Sequence, residues 1–228
     1  AQIGLQNRQM VSNYLSDIYN TVIMKDVITR ENIRNVRFLE DLVRFTADNI
    51  GKNISAHSIS KFMKSQNITV SPTLVTNYLN YLCNAYIMKR ARRFDLHGKK
   101  LLETNEKYYF EDVGLRNHLT GTNLRRDIEK ILENVVYLHL CQQGYTVNVG
   151  LLQKSEIDFV AEKDGKRLYV QVCYQLANQE TIDREFGNLQ KISDAYPKWV
   201  VCMDRLAAQG GINGIDCLYL SDFLLKTC

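Results

Sequence analysis

The sequence predicts a mixed α+β / α/β protein with two domains, an N-terminal winged helix followed by an α-β-β-β-α-β domain. Three observations support this prediction. Helical periodicity dominates the first half of the chain. A basic hairpin follows three helices, and strand-like alternation begins after one long amphipathic helix in the second half. We place a helical lead-in at residues 1–33, the winged helix at 34–120 and the second domain at 121–228.

Three helices are expected in the winged-helix domain. The first begins near Arg37 and ends at Gly51, and the second covers about 55–63. The third begins at Ser71-Pro72, because serine is a favoured N-cap and proline suits the first helical position. This third helix is the candidate recognition helix of a winged helix. The alternative is a small helical bundle with a solvated basic loop.

A basic segment follows the third helix. The chain carries 29 Lys and Arg residues against 25 Asp and Glu residues, which gives a net charge of +4. Residues 86–107 alone contain seven bases and three acids, so this segment accounts for the same +4. Extended residues on both sides of the turn at 95–98 predict a hairpin from Lys89 to Lys107, which would form the wing.

Double-stranded DNA is the partner that a winged helix with this charge would bind. The recognition helix would offer hydrogen-bonding side chains to the bases, and the hairpin would offer cations to the phosphates. The candidate DNA-binding residues are Thr73, Thr76, Asn77 and Asn80 on the helix and Arg90, Arg92, Arg93, Lys99 and Lys100 on the hairpin. Docking against another protein domain is the alternative use of the same fold.

The second half alternates helices and strands in the order α-β-β-β-α-β-β. The expected helices cover about 127–142 and 179–192, and the expected strands lie near 145–150, 156–162, 167–174, 199–203 and 217–220. Asp164-Gly165 lies between two of these strands and predicts a tight hairpin turn.

Polar residues occupy two of the strands at positions where a core strand would be apolar. Glu156 and Asp158 alternate on one strand, and Gln171 and Cys173 alternate on the next. Since alternate residues of a strand share a face, these side chains can converge. Carboxylates that converge in this way can hold a divalent metal against a phosphodiester, and a nearby Lys can stabilise charge. Glu133, on the preceding helix, is a candidate for a further ligand.

The second half resembles the PD-(D/E)xK nuclease-like superfamily through Glu133, Asp158 and the triplet 171–173. Along its whole length, the chain resembles the C-terminal half of a large prokaryotic family of AAA+ ATPases. In that family a winged helix and a restriction-endonuclease-like domain of unknown function follow the nucleotide-binding domain. The segments that carry this resemblance are 19–27, 71–81, 107–115, Leu132-Glu133-Asn134 and Glu156-Ile157-Asp158-Phe159.

The resemblance implies roles for four residues. Glu133 and Asp158 match acidic positions of the nuclease-like core and would be the metal ligands, with Mg²⁺ as the candidate metal. Gln171 stands where the second strand acid belongs. Cys173 stands where the Lys belongs, and a thiol cannot replace an ammonium.

The expected catalytic set is therefore degenerate, and we expect these 228 residues not to be catalytic themselves. A Lys from elsewhere, such as Lys154 or Lys191, could compensate for the cysteine. With such a lysine, a metal-dependent DNA nuclease with a variant site is the alternative.

The resemblance also implies partners and a cellular setting. The chain begins with Ala1 rather than Met, and we expect it to be a piece of a longer protein whose N-terminal ATPase domain binds ATP. That ATPase domain, double-stranded DNA and further copies of the chain in a homo-oligomer are the expected partners. The apolar runs are too short for a transmembrane helix and no signal segment begins the chain, so we expect a cytoplasmic protein without a membrane partner.

Overall fold

The computed structural model describes residues 8–121, 123–153 and 155–226, and it has the mixed α/β character that the sequence predicts. The chain forms two compact units. The first comprises the described residues of Ala1–Arg90 and Tyr108–Asn123, and the second those of Ala91–Lys107 and Leu124–Cys228. The expected domain limits at 34–120 and 121–228 stay a prediction. None of the described helices is long and apolar enough to cross a membrane.

Helices form most of the first unit. They are α1 (Arg8–Ile18), which continues as a π-helix (Tyr19–Val27) and the short α2 (Ile28–Arg30), then α3 (Val36–Asp48), α4 (Ala56–Ser65), α5 (Pro72–Asn84) and α6 (Val113–Thr120). The expected helix over 1–33 is therefore helical from Arg8 to Arg30, and residues 1–7 lie outside the described part. The start of α5 is confirmed, because the side chain of Ser71 accepts a hydrogen bond from the Leu74 amide and Pro72 follows it.

The core of the first unit lies between α3 and its neighbours. Leu39, Leu42 and Val43 of α3 are fully buried. Arg116 of α6 is also fully buried, and its Nε donates to the carbonyl of Ala47 at 2.8 Å. This bond satisfies a carbonyl in the last turn of α3, where helical carbonyls lack partners within the helix.

A seven-stranded sheet runs in the order β2-β1-β3-β4-β5-β6-β7. The strands are β1 (Met88–Asp95), β2 (Lys100–Phe110), β3 (Thr146–Leu152), β4 (Ser155–Lys163), β5 (Lys166–Cys173), β6 (Lys198–Cys202) and β7 (Asp216–Tyr219). The helices of the second unit are α7 (Leu124–Gln142), α8 (Gln179–Gln190) and α9 (Leu220–Leu225). The pairs β3–β4 and β4–β5 are antiparallel, whereas β1–β3, β5–β6 and β6–β7 are parallel.

The turn between β4 and β5 is the tight hairpin that its sequence predicts. Lys163 pairs with Lys166, and two residues connect them. Asp164 has a φ of 50° and Gly165 a φ of 74°. Positive φ at both central residues is the conformation that Asp-Gly favours in a two-residue hairpin.

The basic hairpin that was expected to form the wing is part of the large sheet. Arg93–Asp95 of β1 pair in parallel with Val149–Leu151 of β3, and the Leu96 amide donates to the Leu151 carbonyl at 3.0 Å. Residues 91–107 accordingly belong to the second unit. A physical reason is that β3 would otherwise present an unpaired edge, and β1 covers it.

Gly150 on β3 gives a test of this packing. A Cβ at this position would lie 2.9 Å from both Ile157 Cβ and Val160 Cγ2. We therefore expect Gly150→Ala to lower the free energy of unfolding by about 1–3 kcal/mol through overpacking, measured by urea denaturation. Gly187 of α8 is the matched control, since a Cβ there meets nothing within 4 Å; Gly187→Ala should stabilise by roughly 0.5–1 kcal/mol. Equal stability of the two variants would contradict the packing.

Candidate functional site

Four residues from the predicted catalytic set line one pocket of about 290 Å³ in the second unit. They are Glu133 from α7, Asp158 from β4, and Gln171 and Cys173 from β5. The complete lining is Glu129, Glu133, Glu156, Asp158, Gln171, Val172, Cys173, Arg184, Glu185 and Asn188. The structure thus brings together the residues that the strand pattern indicated, and α8 contributes a further charged pair.

A β-bulge next to this pocket sets the position of Asp158. Asn148 pairs with Val160 and Gly150 with Ile157, so Val149 alone lies opposite two residues, Asp158 and Phe159. A bulge bends its strand and redirects side chains, and bulges are common beside functional sites. The Asp158 carboxylate is fixed across the strands as well, because its Oδ2 accepts a hydrogen bond from the Val172 amide at 2.8 Å.

Lys107 of β2 supplies the ammonium that the sequence of β5 lacks. Lys107 is only 3% exposed. Its Nζ lies 2.9 Å from Glu133 Oε1 and 2.7 Å from Glu156 Oε1. A single buried cation therefore pairs with carboxylates from both α7 and β4.

The protonation of Lys107 follows from these neighbours. Burial would by itself lower the pKa of the Lys107 ammonium. The carboxylates of Glu133, Asp158 and Glu156 raise that pKa, and the net result lies above the ordinary value. Lys107 is therefore a fixed positive charge within the acid cluster at neutral pH.

Sequence reasoning placed Lys107 at the end of the wing and did not assign it to this pocket. Of the two lysines considered as replacements, Lys154 lies outside the described residues. Lys191 is exposed and donates to Ser155 Oγ at 3.2 Å and to Asn188 Oδ1 at 3.1 Å. A signal in the sequence could have indicated Lys107, because it directly precedes the apolar run Tyr108-Tyr109-Phe110 and so belongs to a buried strand.

The surroundings of Asp158 in the pocket shift the pKa of its carboxyl group. Burial raises the pKa of its carboxyl group well above the usual range, and the neighbouring Glu133 raises it further. Lys107 and the Val172 amide lower the pKa, but they do not offset the increase. The single ammonium is therefore not sufficient to make this carboxylate as acidic as an exposed one.

The other two strand residues are neutral. Gln171 is 7% exposed, and its Oε1 accepts a hydrogen bond from the Asp158 amide at 3.3 Å, so this oxygen has a partner in the protein. Burial, together with the charge of Glu185, raises the pKa of the Cys173 thiol. Glu185 itself is paired with Arg184, whose Nη2 lies 2.6 Å from Glu185 Oε1. Cys173 is consequently neither a cation nor a thiolate nucleophile.

The donor set does not fit a resident Mg²⁺ ion. Within residues 8–121, 123–153 and 155–226, no group of three or more His, Cys, Asp or Glu side chains is arranged to hold a metal. Glu133 and Glu156 are paired with Lys107, and Asp158 accepts a hydrogen bond from the backbone. Mg²⁺ usually requires nearly octahedral oxygen ligation, which these engaged carboxylates do not present.

The predicted DNA-binding residues fall on both units. On α5 in the first unit, Thr73, Thr76 and Asn77 are exposed, while Asn80 Oδ1 accepts a hydrogen bond from Arg90 Nη1 at 3.1 Å. Four predicted DNA-binding residues lie on the part of the hairpin that belongs to the second unit. Arg92, Lys99 and Lys100 are exposed, and Arg93 is half-buried. The Nε atom of Arg93 is buried and has no hydrogen-bond partner among the described residues.

Comparison with known proteins assigns the family. Residues 3–126 match the family model described as "Domain of unknown function (DUF8612)", which is more than half of the chain. The chain belongs to the DUF8612 family. The match extends from the N-terminal region to the beginning of α7, so the acid cluster lies mostly outside the matched residues.

Relatives of this DUF8612 protein are longer than the chain. An uncharacterized protein of Haemophilus influenzae is 34% identical over 224 residues, which cover 98% of this chain and 55% of the relative. The uncharacterized protein MJ1544 of Methanocaldococcus jannaschii is 28% identical over 188 residues, which cover 81% of this chain and 40% of the relative. The chain thus spans about half the length of the curated relatives that it matches.

A solved structure, that of protein VC1899 from Vibrio cholerae, is similar over 97% of this chain and 55% of its own. The sequence identity is 11% and the TM-score is 0.33, so this likeness carries no argument about fold or function.

Lys107 gives a direct test of the cluster. Lys107→Met would leave Glu133 and Glu156 in a partly buried site without their cation, and breaking a buried pair typically costs about 3–5 kcal/mol. Because the two glutamates are partly exposed, we expect a loss of about 3 kcal/mol in urea denaturation. Lys100→Met, on the same strand but exposed, is the control and should change stability by less than about 0.5 kcal/mol. Similar losses in both variants would show that the buried pairing contributes little.

Proposed function

We propose that this chain is the C-terminal part of a prokaryotic AAA+ ATPase, in which a winged helix and a PD-(D/E)xK nuclease-like core bind DNA without cutting it. The order of elements supports the two architectures: α3, α4 and α5 precede the β1–β2 hairpin, and α7-β3-β4-β5-α8-β6 follows it. The greater length of the relatives supports a further domain in the whole protein, since the chain covers only 55% and 40% of them.

The observation that carries the proposal is the position of Lys107 within the acid cluster. Its ammonium lies within 3 Å of two of the carboxylates, at 2.9 Å and 2.7 Å. A cation that belongs to the protein balances charge that a metal-dependent nuclease would balance with metal ions. With Gln171 and Cys173 neutral, the pocket retains the acids of a nuclease-like core but lacks a free set of ligands.

Binding to DNA is supported by the surface of α5 and the hairpin. The hydroxyl groups of Thr73 and Thr76 and the amide of Asn77 are of the type that hydrogen-bonds to base edges in the major groove. Exposed cations on the hairpin, such as Lys99 and Lys100, are of the type that contacts phosphates. The competing partner for both surfaces is the ATPase domain of the same polypeptide, and the binding experiment below separates the two.

Affinity for duplex DNA should fall steeply as salt concentration rises, because phosphate contacts release counterions. We expect the double variant Lys99→Ala with Lys100→Ala to weaken binding and to reduce the slope of log K against log salt by about 2. Fluorescence anisotropy with a labelled duplex measures both effects. The control is Lys61→Ala with Lys64→Ala, which removes the same charge from exposed positions of α4 and should leave the slope unchanged.

Equal effects of the two double variants would mean that the affinity reflects net charge alone. Undetectable binding at low salt would overturn the DNA proposal and favour protein docking.

A metal-dependent DNA nuclease is the second candidate function, and it gives Lys107 a different role. An ammonium beside Asp158 could serve where Cys173 cannot, because it could stabilise charge on a phosphate. The two candidates therefore differ in activity rather than in the residues present.

A plasmid-nicking assay with Mg²⁺ or Mn²⁺ separates them. We expect the wild-type chain and its Asp158→Ala and Lys107→Met variants to give the same background as buffer. Metal-dependent nicking by the wild type that is lost in both variants would overturn the non-cutting proposal. Nicking that persists in Asp158→Ala indicates a contaminating nuclease, and the preparation is then purified further before the comparison is repeated.

A further inference from the structure

The outer face of α3 carries a regular pattern of alternating charge. Arg37, Asp41, Arg44 and Asp48 follow one another at intervals of four, three and four residues. At 3.6 residues per turn, this spacing places all four along one side of the helix. We call these four residues the α3 stripe. They line a groove of about 570 Å³ between α3 and α4.

An aromatic pair lies in the same groove. The rings of Phe45 on α3 and Phe62 on α4 have centroids 4.8 Å apart, and Phe62 is 44% exposed. An exposed aromatic surface with a charged rim is the usual composition of a protein–protein contact. The groove, the pair and the stripe all belong to the first unit, and they share no residue with the acid cluster or with the exposed face of α5.

The α3 stripe is complementary to itself when it is reversed. Its charges read plus, minus, plus, minus along the chain, and the reversed order is minus, plus, minus, plus. A two-fold axis at the centre of the stripe would bring Arg37 opposite Asp48 of the second copy, and Asp41 opposite Arg44. A parallel, in-register arrangement would instead place each charge opposite its own kind. Such a closed two-fold contact uses the same patch on both subunits.

We propose that a second copy of this chain docks on the α3 stripe in the antiparallel sense and forms a two-fold symmetric dimer. The four symmetry-related ion pairs fix the register, and the aromatic pairs of the two copies form the apolar centre. Because exposed ion pairs contribute little affinity by themselves, the charges mainly determine which partner and orientation are accepted. The dimer is independent of the proposed DNA binding.

Sedimentation equilibrium of the 228-residue chain tests the dimer with charge variants. Arg44→Asp places two like-charged contacts in the interface, since position 44 faces Asp41 of the partner, and Asp41→Arg does the same with positive charge. We expect each single variant to weaken dimerisation at least about tenfold. The double variant Asp41→Arg with Arg44→Asp exchanges the two charges and keeps the reversed stripe complementary, so it should dimerise like the wild type.

A mixture of the two single variants provides the sharpest comparison. Each is expected to dimerise at least about tenfold more weakly alone, but the stripe of Arg44→Asp is complementary at all four positions to that of Asp41→Arg. We therefore expect a heterodimer on mixing, which misfolded variants would not form. Lys64→Asp makes the same change of charge as Arg44→Asp at an exposed position of α4 outside the groove lining, and it should not affect the dimer.

Three results would overturn the proposal. The first is a wild type that remains monomeric at about 100 µM, because only a dimer with a Kd well above that concentration would escape detection. The second is a double variant that stays monomeric. The third is a set of single variants that dimerise as well as the wild type.

Discussion

The second unit depends on one buried ammonium. Three carboxylates from α7 and β4, those of Glu133, Glu156 and Asp158, line a single pocket, and like charges in such a place oppose folding unless a cation balances them. Lys107 is that cation, with its Nζ 2.9 Å and 2.7 Å from the two glutamates. It reaches them because the hairpin that carries it belongs to the sheet, through the parallel pairing of β1 with β3. The strand pairing and the charge balance are therefore coupled.

This coupling has a consequence for chemistry. A metal-dependent site obtains its positive charge from ions that enter and leave, whereas the charge in this pocket is part of the polypeptide. Burial and the neighbouring Glu133 still raise the pKa of Asp158 well above its usual range despite the ammonium. A buried carboxyl group with a strongly shifted pKa in a pocket is typical of a functional site. In the proposed function that site is inherited from a nuclease-like core, while recognition is assigned to α5 and the hairpin.

Much of the fold could be predicted from local rules. The cap at Ser71-Pro72 and the turn at Asp164-Gly165 specify their conformations through neighbouring atoms only, and both predictions are confirmed. The convergence of Asp158 and Gln171 followed from strand periodicity. The helical lead-in differs in detail, because Tyr19–Val27 is a π-helix, and periodicity at 3.6 residues does not distinguish a π-helix from an α-helix.

What could not be predicted depends on long-range contacts. Lys107 and Glu133 are 26 residues apart in the sequence. When the charges of the hairpin are counted from the sequence, Lys107 cannot be distinguished from the exposed lysines and arginines around it. The bulge that places Asp158 and Phe159 opposite Val149 depends on strand register, which side-chain alternation alone does not fix. The pairing of β1 with β3 depends on the arrangement of the whole sheet. Each of these contacts helps to position the candidate site. The sequence therefore predicted which residues of the strands line the site, but it did not predict the cation that balances their charge.

The most direct test of the central claim is the binding of Mn²⁺ to the wild type and to Lys107→Met, measured by isothermal titration calorimetry. If the ammonium takes the place of a metal, the wild type should show no binding, and removal of the ammonium should create a site. The further substitution Asp158→Asn should abolish that site. Binding of Mn²⁺ by the wild type as tightly as by Lys107→Met would contradict the account, because the carboxylates would then be available to a metal while Lys107 is present.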